Sequence, residues 1–171
     1  MRRIGIMGLT AMLAACAPPP VDDPANVPRL GRWRDEMRAI GVTIDDRSVP
    51  LEELPAGLRA DMEKGARTKE LCTEPRVRDA QEATRLLRAQ LPECTMEQWT
   101  QDGATLTGLA RCAPQAVNGA QATPTVRAEG MVGTTYLRLD IQSILRIPEP
   151  SGASHSAVLR LRRTLERIGD C

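Results

Sequence analysis

The 171 residues suffice for one domain with a sizeable core, about two thirds of the unfolded surface leaving water on folding. Phe is absent and Trp33, Trp99 and Tyr136 are the only aromatics, so packing must rest on Leu, Ile, Val, Met and Ala. The 23 basic and 22 acidic residues nearly cancel, and the arginines are interspersed with acids along the chain. That pattern excludes the basic stripe on which nucleic-acid binding depends.

Residues 1–15 read as an export signal: Arg2 and Arg3, then an apolar stretch from Ile4 to Leu13 that is too short to span a bilayer, then small residues. Leu13-Ala14-Ala15-Cys16 resembles the bacterial lipobox, which implies that Cys16 is acylated, with palmitate-like chains, and becomes the first mature residue. Acyl chains contribute about 0.8 kcal/mol per buried methylene, enough to hold a protein on a membrane without a spanning helix. Ala17, rather than Asp, follows the cysteine; by resemblance to lipoprotein sorting rules this implies the outer membrane, facing the periplasm. Residues 16–29 carry Pro18, Pro19, Pro20, Pro24 and Pro28 without periodicity and read as an extended tether, leaving 30–171 as the folded domain.

Export makes disulfides the expected state of the four remaining cysteines. In "CTMEQWTQDGATLTGLARC" the Asp102-Gly103 turn signal separates two partly alternating runs. A three-residue loop of Asp102, Gly103 and Ala104 sets Gln101 opposite Thr105 and, in the same register, Cys94 opposite Cys112. Cys72 then pairs with Cys171. The lone His155, and the lack of closely spaced cysteines, fit neither a zinc nor a redox site, so neither metal nor cofactor is expected.

In chain order, Gly31 to Asp45 reads as two short strands or one bent strand interrupted at Gly41. Leu51, Leu54, Leu58 and Met62 have helical spacing, with Pro55 early and Gly65 at the end. A strand bearing Cys72 follows. The next helix is expected to start at Thr73 or Glu74 with Pro75 in its first turn, to bury Val77, Ala80, Ala83, Thr84 and Leu87, and to stop before Pro92. Strands are expected over Cys94–Thr100, Thr105–Cys112, Thr125–Met131, Thr134–Ile147 and Ala157–Ile168, with Asn118-Gly119 and Pro148-Glu149-Pro150 as turn markers. For the last two strands, a register pairing Leu139 with Leu165, Leu145 with Leu159 and Arg138 with Glu166 gives the alternation of a sheet wet on one side. Arg163 then falls on the apolar face opposite Ile141, which suggests a sheet edge or a bulge rather than a ligand-facing charge. The fold class is α+β: a mainly antiparallel curved sheet or half-barrel, with one or two helices packed on it and two disulfides.

"GRW" at the start, "CTEPRVRDAQEA" at a helix start, "PEC" and "ARC" in the centre and "ERIGDC" at the end resemble the exported bacterial family known as domain of unknown function 3617. Its members show a Gly-x-Trp start, a Cys-x-x-Pro-like helix start and a Gly-x-Cys end. The resemblance covers Gly31 to Cys171; Thr73-Glu74-Pro75 departs from the usual Thr-Pro-Glu order, and Val49 to Thr68 is longer than the common form. It implies location and build, and no activity.

Catalysis needs a nucleophile with a base, a metal cluster or paired carboxylates. The chain offers His155 between Ser154 and Ser156 in a Ser/Gly turn, and Asp45-Asp46 and Glu52-Glu53 beside turns or a helix start, where solvated or capping roles are commoner. The expectation is therefore a non-catalytic envelope lipoprotein, a binding or interaction module anchored to the membrane through its lipid. An envelope protein would meet its sheet edge or an Arg-bearing face. Alternatively it is a periplasmic carrier or chaperone whose apolar sheet face holds a small apolar ligand or a peptide; a hydrolase is the remotest reading.

Overall fold

A computed structural model describes residues 27–89, 91–117, 120–148 and 153–171. The signal, Cys16 and most of the tether lie outside the described residues. Alternating burial runs through the long strands: Trp33, Asp35 and Met37 point inward from β1 (Gly31–Ile44), Leu137, Leu139 and Ile141 from β9 (Tyr136–Pro148), and Arg163 and Leu165 from β10 (Ser154–Gly169). With β2 (Arg47–Ser48), β4 (Cys94–Asp102), β5 (Thr105–Cys112) and β8 (Thr125–Val132), these strands form one open antiparallel sheet in the order β2-β1-β10-β9-β8-β5-β4. β3 (Arg67–Thr73) pairs with β1 as well, along Gly31 to Met37. β6 (Gln115–Val117) and β7 (Ala120–Ala122) pair as a separate two-stranded sheet, and the Asn118-Gly119 marker lies outside the described residues.

One face of the sheet carries the core. Trp33, Leu106, Val126 and Leu137 are fully buried there, together with Val77 from the segment ahead of α2. The other face is wet. Both described helices belong to the core side: α1 (Ala56–Glu63), after a single 3₁₀ turn at Leu51–Glu53, brings Leu58 beside Leu159 and Leu161, and α2 (Ala80–Arg88) buries Ala83, Thr84 and Leu87. The two indoles are each satisfied by a carbonyl, Trp33 Nε1 donating to Arg29 O (3.1 Å) and Trp99 Nε1 to Val77 O (2.5 Å). Trp99 lies over Gly108, where a Cβ would stand 2.5 Å from the ring. Only glycine allows that approach.

Both disulfides form with the expected partners. Cys94–Cys112 joins facing residues of β4 and β5 and is buried, and Cys72–Cys171 ties β3 to the end of the chain.

Local geometry departs from expectation in five places, the first being the helical run from Leu51 to Met62, which breaks at extended Leu54 and Pro55 into the 3₁₀ turn and α1. In the β4–β5 hairpin Asp102 faces Thr105, so Gly103 (φ 55°) and Ala104 make a two-residue turn, and a bulge between Met96 and Gln98 absorbs the extra residue and restores Cys94 opposite Cys112. The bulge flips the parity, so Cys94 and Met96 face inward before it and Trp99 after it. In β9–β10 the observed register is displaced by two residues: Leu165 meets Leu137, Arg163 meets Leu139, Leu145 meets Ala157 and Tyr136 meets Glu166. A slip of two keeps every side chain on its expected face, so hydrophobic alternation could not tell the two registers apart. α2 starts six residues after Glu74, because Asp79 accepts from Glu82 N (2.8 Å) and makes a better cap than Thr73 or Glu74. That leaves 74–79 outside the helix, turned at Arg76, whose N–H donates to Glu74 O (2.8 Å), with Val77 as a core plug. Finally, Arg163 is at neither an edge nor a bulge: it lies on β10, between β1 and β9, and is 3% exposed. β1 itself is one bent strand, with its irregularity between Ala39 and Gly41.

Candidate functional site

A guanidinium on an apolar sheet face must be neutralised and hydrogen-bonded, and Arg163 is both. Its Nε and Nη2 donate to the two carboxylate oxygens of Asp35 (2.8 and 2.7 Å), and its Nη1 donates to Leu86 O in the last turn of α2 (2.6 Å). The Asp35 side chain is 1% exposed and takes a second cation, Lys69 Nζ at 3.4 Å, from the facing position of β3. The group therefore joins β1, β3, β10 and α2. The bidentate fork supplies direction, and the helix carbonyl gains a donor that the helix itself cannot offer.

Above this group lies a cleft of about 440 Å³ between β3, the 74–76 segment and α2. Leu71, Leu86, Leu165 and Arg163 line it, with Glu74, Arg76, Glu82 and Arg85 supplying charge. Glu82 is already committed to structure: its Oε2 accepts from Arg78 N (2.9 Å) and its Oε1 lies 3.5 Å from Arg78 Nη2. Glu74 Oε2 accepts from Arg76 Nη2 (2.6 Å), whereas its buried Oε1 has no hydrogen-bond partner among the described residues. The cleft thus has an apolar body and a polar rim of both signs. A volume of that order accommodates a small organic molecule or a few residues of a peptide.

His155 opens β10 and is not in a loop. Its Nδ1 donates to Asp45 Oδ2 (2.5 Å), and Ser156 N donates to Asp45 Oδ1 (2.9 Å). The hydrogen bond from Ser156 N, then that from His155, hold the Asp45 carboxyl below the usual aspartate range against a smaller opposing effect of burial; the charges of His155 and Arg47 act the same way. Asp45 and Asp46 are both left-handed (φ 48° and 64°) in the tight β1–β2 turn, a conformation that Asp tolerates better than most residues. Strand alternation directs Ser154 and Ser156 to the face opposite His155. The pair is a clip between a turn and a strand. Glu52 and Glu53 fall in the 3₁₀ turn, and no group of three or more metal-ligating side chains occurs among the described residues.

The cleft and its buried ion pair were not recognised from sequence; the signal was Arg163 on an apolar face together with Asp35 between Trp33 and Met37. Compared with protein-family models, with curated proteins and with solved structures, the chain matches none.

Proposed function

We propose that the protein is a lipid-anchored protein of the bacterial envelope, acylated at Cys16, that serves as a non-catalytic binding module facing the periplasm, with Ala17 after the cysteine supporting the outer membrane.

 
We also propose kinship with the exported family known as domain of unknown function 3617, supported by the Gly31-Arg32-Trp33 start, the helix-start motif after Cys72 and the Gly169-Asp170-Cys171 end. Two bridged cysteine pairs support an oxidising compartment. Among the described residues no helix is long and apolar enough to cross a membrane, which is compatible with an anchor made of lipid.

The observation that carries the binding reading is the cleft floored by Arg163 and Leu165 and rimmed by Glu74, Arg76 and Arg85. Charges of both signs around an apolar body suit a short peptide segment, with its amide and charged groups, better than a long acyl chain. Native mass spectrometry of the protein isolated gently from its own membranes tests this. Bound mass of roughly a few hundred daltons, absent from Thr73→Trp, whose indole fills the cleft, is the expected result. A ligand-free mass in the wild-type protein, or equal bound mass in both, contradicts it.

A further inference from the structure

We propose that the wet face of the sheet docks on anionic phospholipid headgroups. Strand pairing assembles on this face a group of arginines that are far apart in sequence. Arg127 of β8 and Arg160 of β10 both pair with Gln142 of β9, and in the neighbouring row Arg38 of β1 stands directly opposite Arg162 of β10. Like charges set opposite each other weaken a sheet, so a face that keeps them gains by meeting an anion. Asp140 is shared by Arg162 (2.6 Å) and Arg138 (3.1 Å), and Glu166 faces Arg34. Arg38, Arg127 and Arg160 have no ion pair among the described residues, and Glu36 and Glu129 are the remaining acids of these strands on this face. Gly41, which pairs with Arg160, leaves its surroundings open, a Cβ there meeting nothing within 4 Å.

Two further features select a bilayer as the occupant. Met131 (52% exposed) and Tyr136 (41%), the chain's only tyrosine, stand out from the same face at the β8–β9 turn. An amphipathic ring and a flexible apolar side chain beside arginines suit the headgroup boundary. The chain also comes in at this end, since Arg29 N donates to Thr134 O in that turn (3.0 Å). Cys16 is eleven residues before Val27, a length that spans at most about 40 Å. The docking inference rests on the proposed anchor for this proximity.

The test uses the mature protein from its host, reconstituted in vesicles of neutral phosphatidylcholine or of phosphatidylcholine with roughly a third phosphatidylglycerol. An arginine-selective dicarbonyl reagent is applied and modified sites are mapped by mass. Arg38, Arg127 and Arg160 should react at least about fivefold more slowly on the anionic vesicles, with the difference lost near about 0.5 M NaCl, while Arg59 of α1 reacts equally on both. The double variant Arg127→Gln/Arg160→Gln, both at exposed positions, should lose the protection of Arg38. Equal rates on the two vesicles overturn the inference, as does equal protection by inorganic phosphate on neutral vesicles, which marks a site for soluble oxyanions. Intact mass reports the anchor separately. An acylated chain without protection overturns docking and leaves the anchor standing, and an unacylated chain protected by added anionic vesicles does the reverse.

Discussion

Arg163 concentrates the cost and the use of a buried charge. Removing one partner of such a pair strands the other in a low-dielectric site, whereas replacing both by apolar groups of similar size is often neutral. Asp35→Ala and Arg163→Ala should each lose about 3–5 kcal/mol in urea unfolding, and Asp35→Leu/Arg163→Met should recover most of that loss. If the double variant stays as unstable as the singles, the hydrogen bond to Leu86 O rather than charge burial dominates. Asp45 gives a residue-scale prediction in pH. Its carboxyl lies below the usual range when folded, so the unfolded chain takes up its proton first as the pH falls, and the stabilisation is present above the ordinary aspartate value. The stability difference between wild type and Asp45→Asn should therefore be full near neutrality and close as the pH drops through the lowered folded-state value. A difference that persists unchanged in strong acid contradicts this.

At the scale of elements, α2 protects the open edge of the sheet. Thr84 Oγ1 donates to Ala80 O (2.7 Å) and accepts from Met96 N of β4 (3.0 Å), while Arg88 reaches Cys94 O (3.3 Å) and Thr95 Oγ1 (2.9 Å). Edge strands need such cover. Thr84→Val leaves the buried Met96 N–H unsatisfied and should cost about 1–3 kcal/mol, and Asp79→Ala should cost about 1 kcal/mol through the lost cap; thermal unfolding measures both. Periodicity made the long strands and the apolar stripe of α2 legible, because Leu137, Leu139 and Leu165, like Ala83 and Leu87, recur at the periods of their elements. It did not resolve the start of α2, where Pro75 is as good a first-turn residue as Asp79 is a cap. Nor did it resolve the β9–β10 register, since the alternative keeps the same faces buried. The cleft depends on the placement of 74–79 and so was hidden with it.

At the scale of the whole molecule, a core short of aromatic side chains is closed by two covalent staples. Cys72–Cys171 spans 99 residues and Cys94–Cys112 spans 18. On the chain-entropy account the longer loop contributes about 4.7 kcal/mol and the shorter about 3 kcal/mol. Cys72→Ala/Cys171→Ala should therefore lower stability more than Cys94→Ala/Cys112→Ala, read by denaturant titration without reductant; an equal or smaller loss contradicts the loop-length account. The pairing was legible in the sequence because Cys94 and Cys112 flank a hairpin; the bulge at Glu97 corrects the turn without changing the pair. The grouping of Arg38, Arg127 and Arg160 was not, because only strand order brings residues so distant in the chain onto one face.

The central claim is that export and acylation at Cys16 set the conditions in which these staples form. Intact mass and non-reducing peptide mapping of the protein from its own cells test it most directly. The account predicts an amino-terminal peptide that starts at Cys16 and carries acyl chains, with peptides linked through Cys72–Cys171 and Cys94–Cys112. A chain that still starts at Met1, or one with these four thiols free, contradicts it.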